Sequence, residues 1–228
     1  RKLIELPPND RHPYDPLFLA ASLNLLASIE RESAQLALAK PLHAEAIQLL
    51  KALSEKPPDG MNPNDVTHFM ALCRFENCLT RRDAREPTAE VEKTAGLVIT
   101  QWERFVQGFP KTYMYRESLG RAYRFRAELR MREKRWDESA TDLAKAKEIF
   151  EEAATLFPQV VRFGGEMGRT QIALGEVAAL RGDELRAAEW YREAKRTLER
   201  AVLQSPDSAD DAVALKRLHQ LLQILGKP

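Results

Sequence analysis

The sequence predicts an all-α protein built as a stack of antiparallel helix pairs, about nine helices and no sheet. Three observations carry this. Pro110, Pro158 and Pro206 stand at one fixed interval of 48 residues. The text around them is copied: Phe109-Pro110 recurs as Phe157-Pro158, Gly120-Arg121 as Gly168-Arg169, Glu128 as Glu176, and Ala146-Lys147 as Ala194-Lys195. No stretch alternates polar and apolar residues as a strand would, whereas long runs follow helical spacing. Self-similarity at such a period marks stacked units that bury each other's apolar faces.

The elements follow in order. Residues 1–15 carry three prolines and read as extended. Pro16 to about Ala39 and Pro41 to Glu55 read as a first hairpin, with a break near Arg31 as the alternative. Lys56-Pro57-Pro58-Asp59-Gly60 is a helix breaker. Asn64 to Arg82 and Pro87 to Gln107 form a second hairpin. In the third, Leu119, Ala122, Tyr123 and Leu129 share one face, and Leu143, Ala146, Ile149, Phe150 and Ala153 share another. Lys134-Arg135-Trp136 is the break between them, and Asp137 is placed to cap the next helix. In the fourth, Met167, Thr170, Leu174 and Val177 line the first helix, Gly182-Asp183 turns, and Ala187, Tyr191, Ala194 and Leu198 line the second. Proline between hairpins ends one helix and can open the next. A last helix, Ala209 to Leu225, buries Val213, Leu215, Leu218, Leu222 and Leu225, with Gly226 to stop it. The expected division is an extended segment over 1–15, hairpins over 16–56, 57–108, 109–156 and 157–204, and a capping helix over 205–228, all in one repeat domain.

Composition narrows the function. The chain has 228 residues, 44% apolar and 30% charged, with net charge +1. That balance supplies a core and gives no global attraction to nucleic acid or an anionic membrane. The longest notable uncharged run, Pro16 to Ile29, is 14 residues, short of the ~20 that a membrane span needs. Cys73 and Cys78 lie about 7.5 Å apart along one helix, beyond disulfide reach. Two reduced thiols fit a reducing compartment such as the cytoplasm. The chain opens on Arg1 rather than methionine, which reads as a piece of a longer chain.

Leu174-Gly175, Gly182, Ala187, Tyr191 and Ala194 resemble the tetratricopeptide signature, in which small residues sit where two helices touch and an aromatic fills the groove. The preceding unit keeps that register with Trp136, Ala140, Leu143 and Ala146, and departs from it at Lys134 and Ser139. The longer period, with Phe109-Pro110 followed by Tyr115-Arg116 and Phe157-Pro158 followed by Phe163, is similar to repeats found C-terminal to the kinase domain of bacterial serine/threonine kinases. The resemblance covers about 109–204. It implies a right-handed superhelical α-solenoid that binds protein partners. No motif of a kinase catalytic core is present.

Chemistry-bearing motifs are few. Gly164-Gly165-Glu166-Met167-Gly168-Arg169-Thr170 superficially suggests a phosphate loop, but its spacing is short, arginine replaces lysine and no strand precedes it. Close helix packing explains its glycines. His68, Cys73 and Cys78 fan around a helix instead of converging on a metal, and His43-Ala44-Glu45 lacks the cysteine pair of a zinc deaminase. We expect no catalytic residue, no metal and no cofactor.

The strongest local feature is electrostatic. Phe109 to Arg135 holds nine basic and three acidic residues, a local charge of +6, while the next helix carries −4. Tyr115, Arg116, Tyr123, Arg126 and Arg130 form a candidate arginine-tyrosine strip on a first helix, able to grip a carboxylate or phosphate. The alternative is internal pairing with the acidic helix that follows. The chain reads as a non-catalytic module for a peptide or partner helix. Binding of a phosphorylated or other anionic ligand through the strip is the alternative, and self-association through an exposed end of the stack is a further possibility. Nucleic acid and membrane insertion are disfavoured.

Overall fold

In the computed structural model, residues 12–225 are described. The extended segment expected over residues 1–15 and the Gly226 stop lie largely or wholly outside them. The described residues form nine α-helices and no strand: α1 Asp15–Glu32, α2 Leu36–Glu55, α3 Pro63–Asp83, α4 Thr88–Gly108, α5 Tyr113–Arg132, α6 Trp136–Leu156, α7 Arg162–Leu180, α8 Glu184–Gln204 and α9 Ala209–Leu225. The chain divides into two compact units within α4, between Val98 and Ile99. In the first, α1 packs on α2 and α3, and α2 packs on α3. In the second, each helix from α5 onward packs on its successor, and the first helices α5, α7 and α9 also touch in series. That is the contact pattern of stacked hairpins.

All four hairpin turns close in the same way. Ala34, Arg85, Lys134 and Gly182 occupy the left-handed region, with φ of 60°, 55°, 58° and 80°. At each, the next residue's N–H reaches back to a carbonyl five positions earlier: Gln35 to Glu30, Glu86 to Arg81, Arg135 to Arg130, Asp183 to Ala178. This is the Schellman closure, which satisfies orphan carbonyls at a helix end. Only one of the four uses glycine.

Anchoring on those turns exposes a register that the first half of the sequence hides. Counting back 14 from each turn residue gives Ala20, Ala71, Gly120 and Gly168; counting back seven gives Ala27, Cys78, Ala127 and Gly175. All eight are small and buried. A Cβ on Gly120 would meet the Phe150 ring at 2.5 Å, and one on Gly175 would meet the Tyr191 ring at 2.3 Å. Small residues there let the paired helices approach. On the second helices, Leu50, Trp102, Phe150 and Leu198 fill one equivalent slot, Trp102 arriving one residue late because its loop is one residue longer.

Several expectations need correction. The second helix begins at Leu36 and runs through Pro41, so the first hairpin turns at 33–35, near the alternative break rather than at Pro41. Asp137 is not the cap of α6. By register with Gly182-Asp183, the capping position after Lys134 is Arg135, which makes no side-chain cap; the Asp137 carboxylate instead meets Arg181 at 2.9 Å. Asp183 does cap α8, accepting from the Arg186 N–H at 3.0 Å. Pro110, Pro158 and Pro206 follow helix ends but do not open the next helices, because α5, α7 and α9 start three or four residues later. On α9, Ala214 and Leu218 are buried, whereas Val213 is 67% exposed.

Candidate functional site

The candidate strip on α5 separates into two clusters. At its N-terminal end, the Tyr115 ring lies 4.9 Å from Phe105, 5.8 Å from Phe109 and 5.9 Å from Trp102. Arg116 is buried there. Its guanidinium donates to the Pro110 carbonyl and lies 5.8 Å from the Phe157 ring centre. Both residues fasten the Phe-Pro step to the helix that follows it.

Tyr123, Arg126 and Arg130 come together farther along. The buried Tyr123 hydroxyl donates to the Glu103 carboxylate. Burial, then that carboxylate, pushes the phenol above its ordinary range. Arg126 forks onto both oxygens of Asp142, each at 2.8 Å, and Arg130 adds a third contact at 3.0 Å. Asp142 is almost fully buried on α6. Arg130 also donates to the Glu138 carbonyl at 3.3 Å. The basic and acidic helices therefore meet through specific charge-assisted bonds, as the pairing alternative anticipates.

A separate groove of about 590 Å³ opens along α5, α7 and α9. Its floor is Met131, Ile172, Ala173 and Ala214, with Val213 exposed beside it. Charges of both signs surround the floor. Arg124 meets Glu166 at 2.6 Å, Arg169 meets Glu166 at 3.1 Å and also pairs with Asp211, and Arg217 pairs with Glu176. Burial pushes Glu166 upward, but Arg124, Arg169 and Arg121 together hold it below the usual carboxylate range. Burial raises Glu176 despite Arg217 beside it. The glycine run now has its explanation. A Cβ on Gly165 would strike the Asp211 carboxylate at 2.0 Å, and one on Gly168 would strike Leu198 at 2.6 Å. Gly165 thus lets α9 dock through Asp211 onto Arg169. Ile172, Glu176 and Arg217 lie outside the strip that local charge picks out. Their signal is positional, since all lie on the first-helix side, which only the stacking order reveals.

In the first unit, His43 is a core residue. Its ring nitrogens lie 3.0 Å from Asn24 Oδ1 and 3.0 Å from Thr80 Oγ1, joining α1, α2 and α3. Burial, then the charge of Arg31, lowers it to about 4. Cys73 and Cys78 are buried free thiols, each pushed up to about 12 by burial. Among the described residues no group of His, Cys, Asp or Glu is arranged to hold a metal, and no helix is long and apolar enough to cross a membrane.

No family model matches the chain, and no curated protein matches it. Among solved structures it is similar to the de novo designed helical repeat protein DHR64, with TM-score 0.33 and 15% identity over 94% of this chain and 96% of that one. It is also similar to the DHF58 filament, with TM-score 0.32 and 16% identity over 93% and 95%, and to the DHF119 filament, with TM-score 0.31 and 14% identity over 94% and 93%.

Proposed function

We propose that the second unit is a non-catalytic docking module that receives a peptide or partner helix in the groove over α5, α7 and α9. The observation that carries this is the groove's composition: an open apolar floor bordered by charges of both signs. An apolar floor rewards burial of partner side chains, and flanking charges fix orientation. The resemblance over 109–204 supports placing the module in a larger regulatory protein, such as a bacterial serine/threonine kinase. The α5 arginines weigh less as an anion site, because a ligand would have to displace Asp142 from Arg126 and Arg130.

A photo-crosslinking amino acid at position 213 tests this against one at Leu185, which is exposed on α8. The expected result is a discrete adduct from position 213 alone, lost on Arg132→Glu. Equal adducts from both positions overturn the reading.

A second reading, association of two copies, is favoured by α1. Phe18, Leu25, Leu26 and Ile29 are exposed there, whereas Leu129 and Val177, at the register of Ile29, are buried. Light scattering over a concentration series tests it; a constant monomer mass refutes it.

A further inference from the structure

Arg116, Arg124, Arg126 and Arg130 of α5 are engaged, but three arginines of α8 are not. Arg192, Arg196 and Arg200 recur at every fourth position, so they stand in a row with about 6 Å of rise between neighbours. All three are exposed, and none has an ion pair or hydrogen bond among the described residues. Their neighbours on the same helix do pair: Lys195 with Glu199 at 3.7 Å, Arg186 with Glu189 at 3.2 Å, and Glu193 with the Gln171 amide at 2.7 Å. Arg196 and Arg200 form one wall of a groove of about 440 Å³, bounded also by the end of α6, the turn after it and the start of α7. Ala154, Val160, Val161 and Met167 line it, and no aromatic ring does.

We propose that this groove binds an acidic peptide segment, with carboxylates on the arginine row and apolar side chains on the valine-methionine floor. The site lies on different helices from the groove over α5, α7 and α9 and does not depend on it. Charge complementarity selects the occupant. Free guanidinium groups take carboxylates bidentately, and carboxylates four residues apart on a helix match the arginine spacing. A nucleic acid strand is the poorer fit. It binds by stacking bases on aromatic rings, which this groove lacks.

The test uses the full chain and a fluorescent synthetic peptide of about 15 residues, with Glu at every fourth position and Leu or Val between. Fluorescence anisotropy should show saturable binding. Affinity should weaken about tenfold or more in Arg196→Glu/Arg200→Glu, and likewise as salt rises from about 50 to about 300 mM. A peptide carrying Lys in place of Glu should bind the double variant better than the original chain. Both arginines are exposed and unpartnered, so the melting temperature should stay unchanged. The proposal is overturned if the acidic peptide does not bind, or if the double variant binds it equally well. It is also overturned if Lys111→Glu, an exposed reversal elsewhere, weakens binding as much. Tighter binding of oligo-dT, lost in the same variant, would reassign the row to a phosphate backbone.

Discussion

Replacing Asp142 by alanine should destabilise the second unit by about 3 kcal/mol. The carboxylate is 2% exposed and accepts three arginine contacts, at 2.8, 2.8 and 3.0 Å. Breaking a buried ion pair from one side costs about 3–5 kcal/mol, because the remaining charge is stranded. Here Arg126 and Arg130 keep 19% and 15% of their side-chain surface. Water reaches them in part, which places the cost at the lower end. Arg126→Ala alone should cost about 2 kcal/mol, and the double-mutant cycle should return a coupling of about 1.5 kcal/mol. Urea unfolding followed by tryptophan fluorescence measures this selectively, because Trp102, Trp136 and Trp190 all lie in the second unit. If the strip's arginines were held ready for an external anion, removing Asp142 would free them at little cost. A loss below about 1 kcal/mol, or a coupling near zero, refutes the internal-pairing argument.

Three further outcomes are expected. Lys134→Gly should stabilise the second unit by about 1 kcal/mol in the same assay, since its φ of 58° strains any residue with a Cβ. The two glycine positions on α7 should respond with opposite signs. Gly175→Ala should cost about 2–3 kcal/mol by forcing a methyl into Tyr191, while Gly164→Ala, whose Cβ would stand 3.6 Å from Ala201, should gain about 0.5–1 kcal/mol. His43 should make the first unit acid-sensitive. Its folded value of about 4 lies below the ordinary 6.5, so its contribution is full above pH 6.5 and is lost as pH falls towards 4. The loss should reach up to about 3 kcal/mol. Circular dichroism melts across that window should show it, and His43→Gln should flatten the dependence.

The second half of the chain was legible because its landmark residues recur at one 48-residue interval. Gly182 marks its own turn, and Gly175 with Tyr191 announces a close helix contact. The first half keeps the backbone plan but changes the spelling. Ala34 and Arg85 turn without glycine, Ala20 and Ala71 replace Gly120 and Gly168, and the extra loop residue before Thr88 shifts α4 out of phase. Pro41 misled because proline is read as a boundary, although α2 continues through it. The candidate strip rests on local charge. Local charge does not say which arginines already have a carboxylate facing them. Asp142 and Glu138 lie one helix away from Arg126 and Arg130, whereas Arg192, Arg196 and Arg200 draw no such neighbour. The departure at Ser139 proved benign, since its hydroxyl donates to the Ala127 carbonyl at 3.0 Å.

The shared slot filled by Leu50, Trp102, Phe150 and Leu198 makes the number of hairpins a design variable. Each hairpin carries the same internal fit, Gly120 against Phe150 in one and Gly168 against Leu198 in the next. A tandem duplicate of residues 109–156, spliced after Leu156, would therefore bring that fit with it. Such a chain grows by whole modules, as a ruler gains divisions, and its reach can be set by copy number without redesigning a single joint.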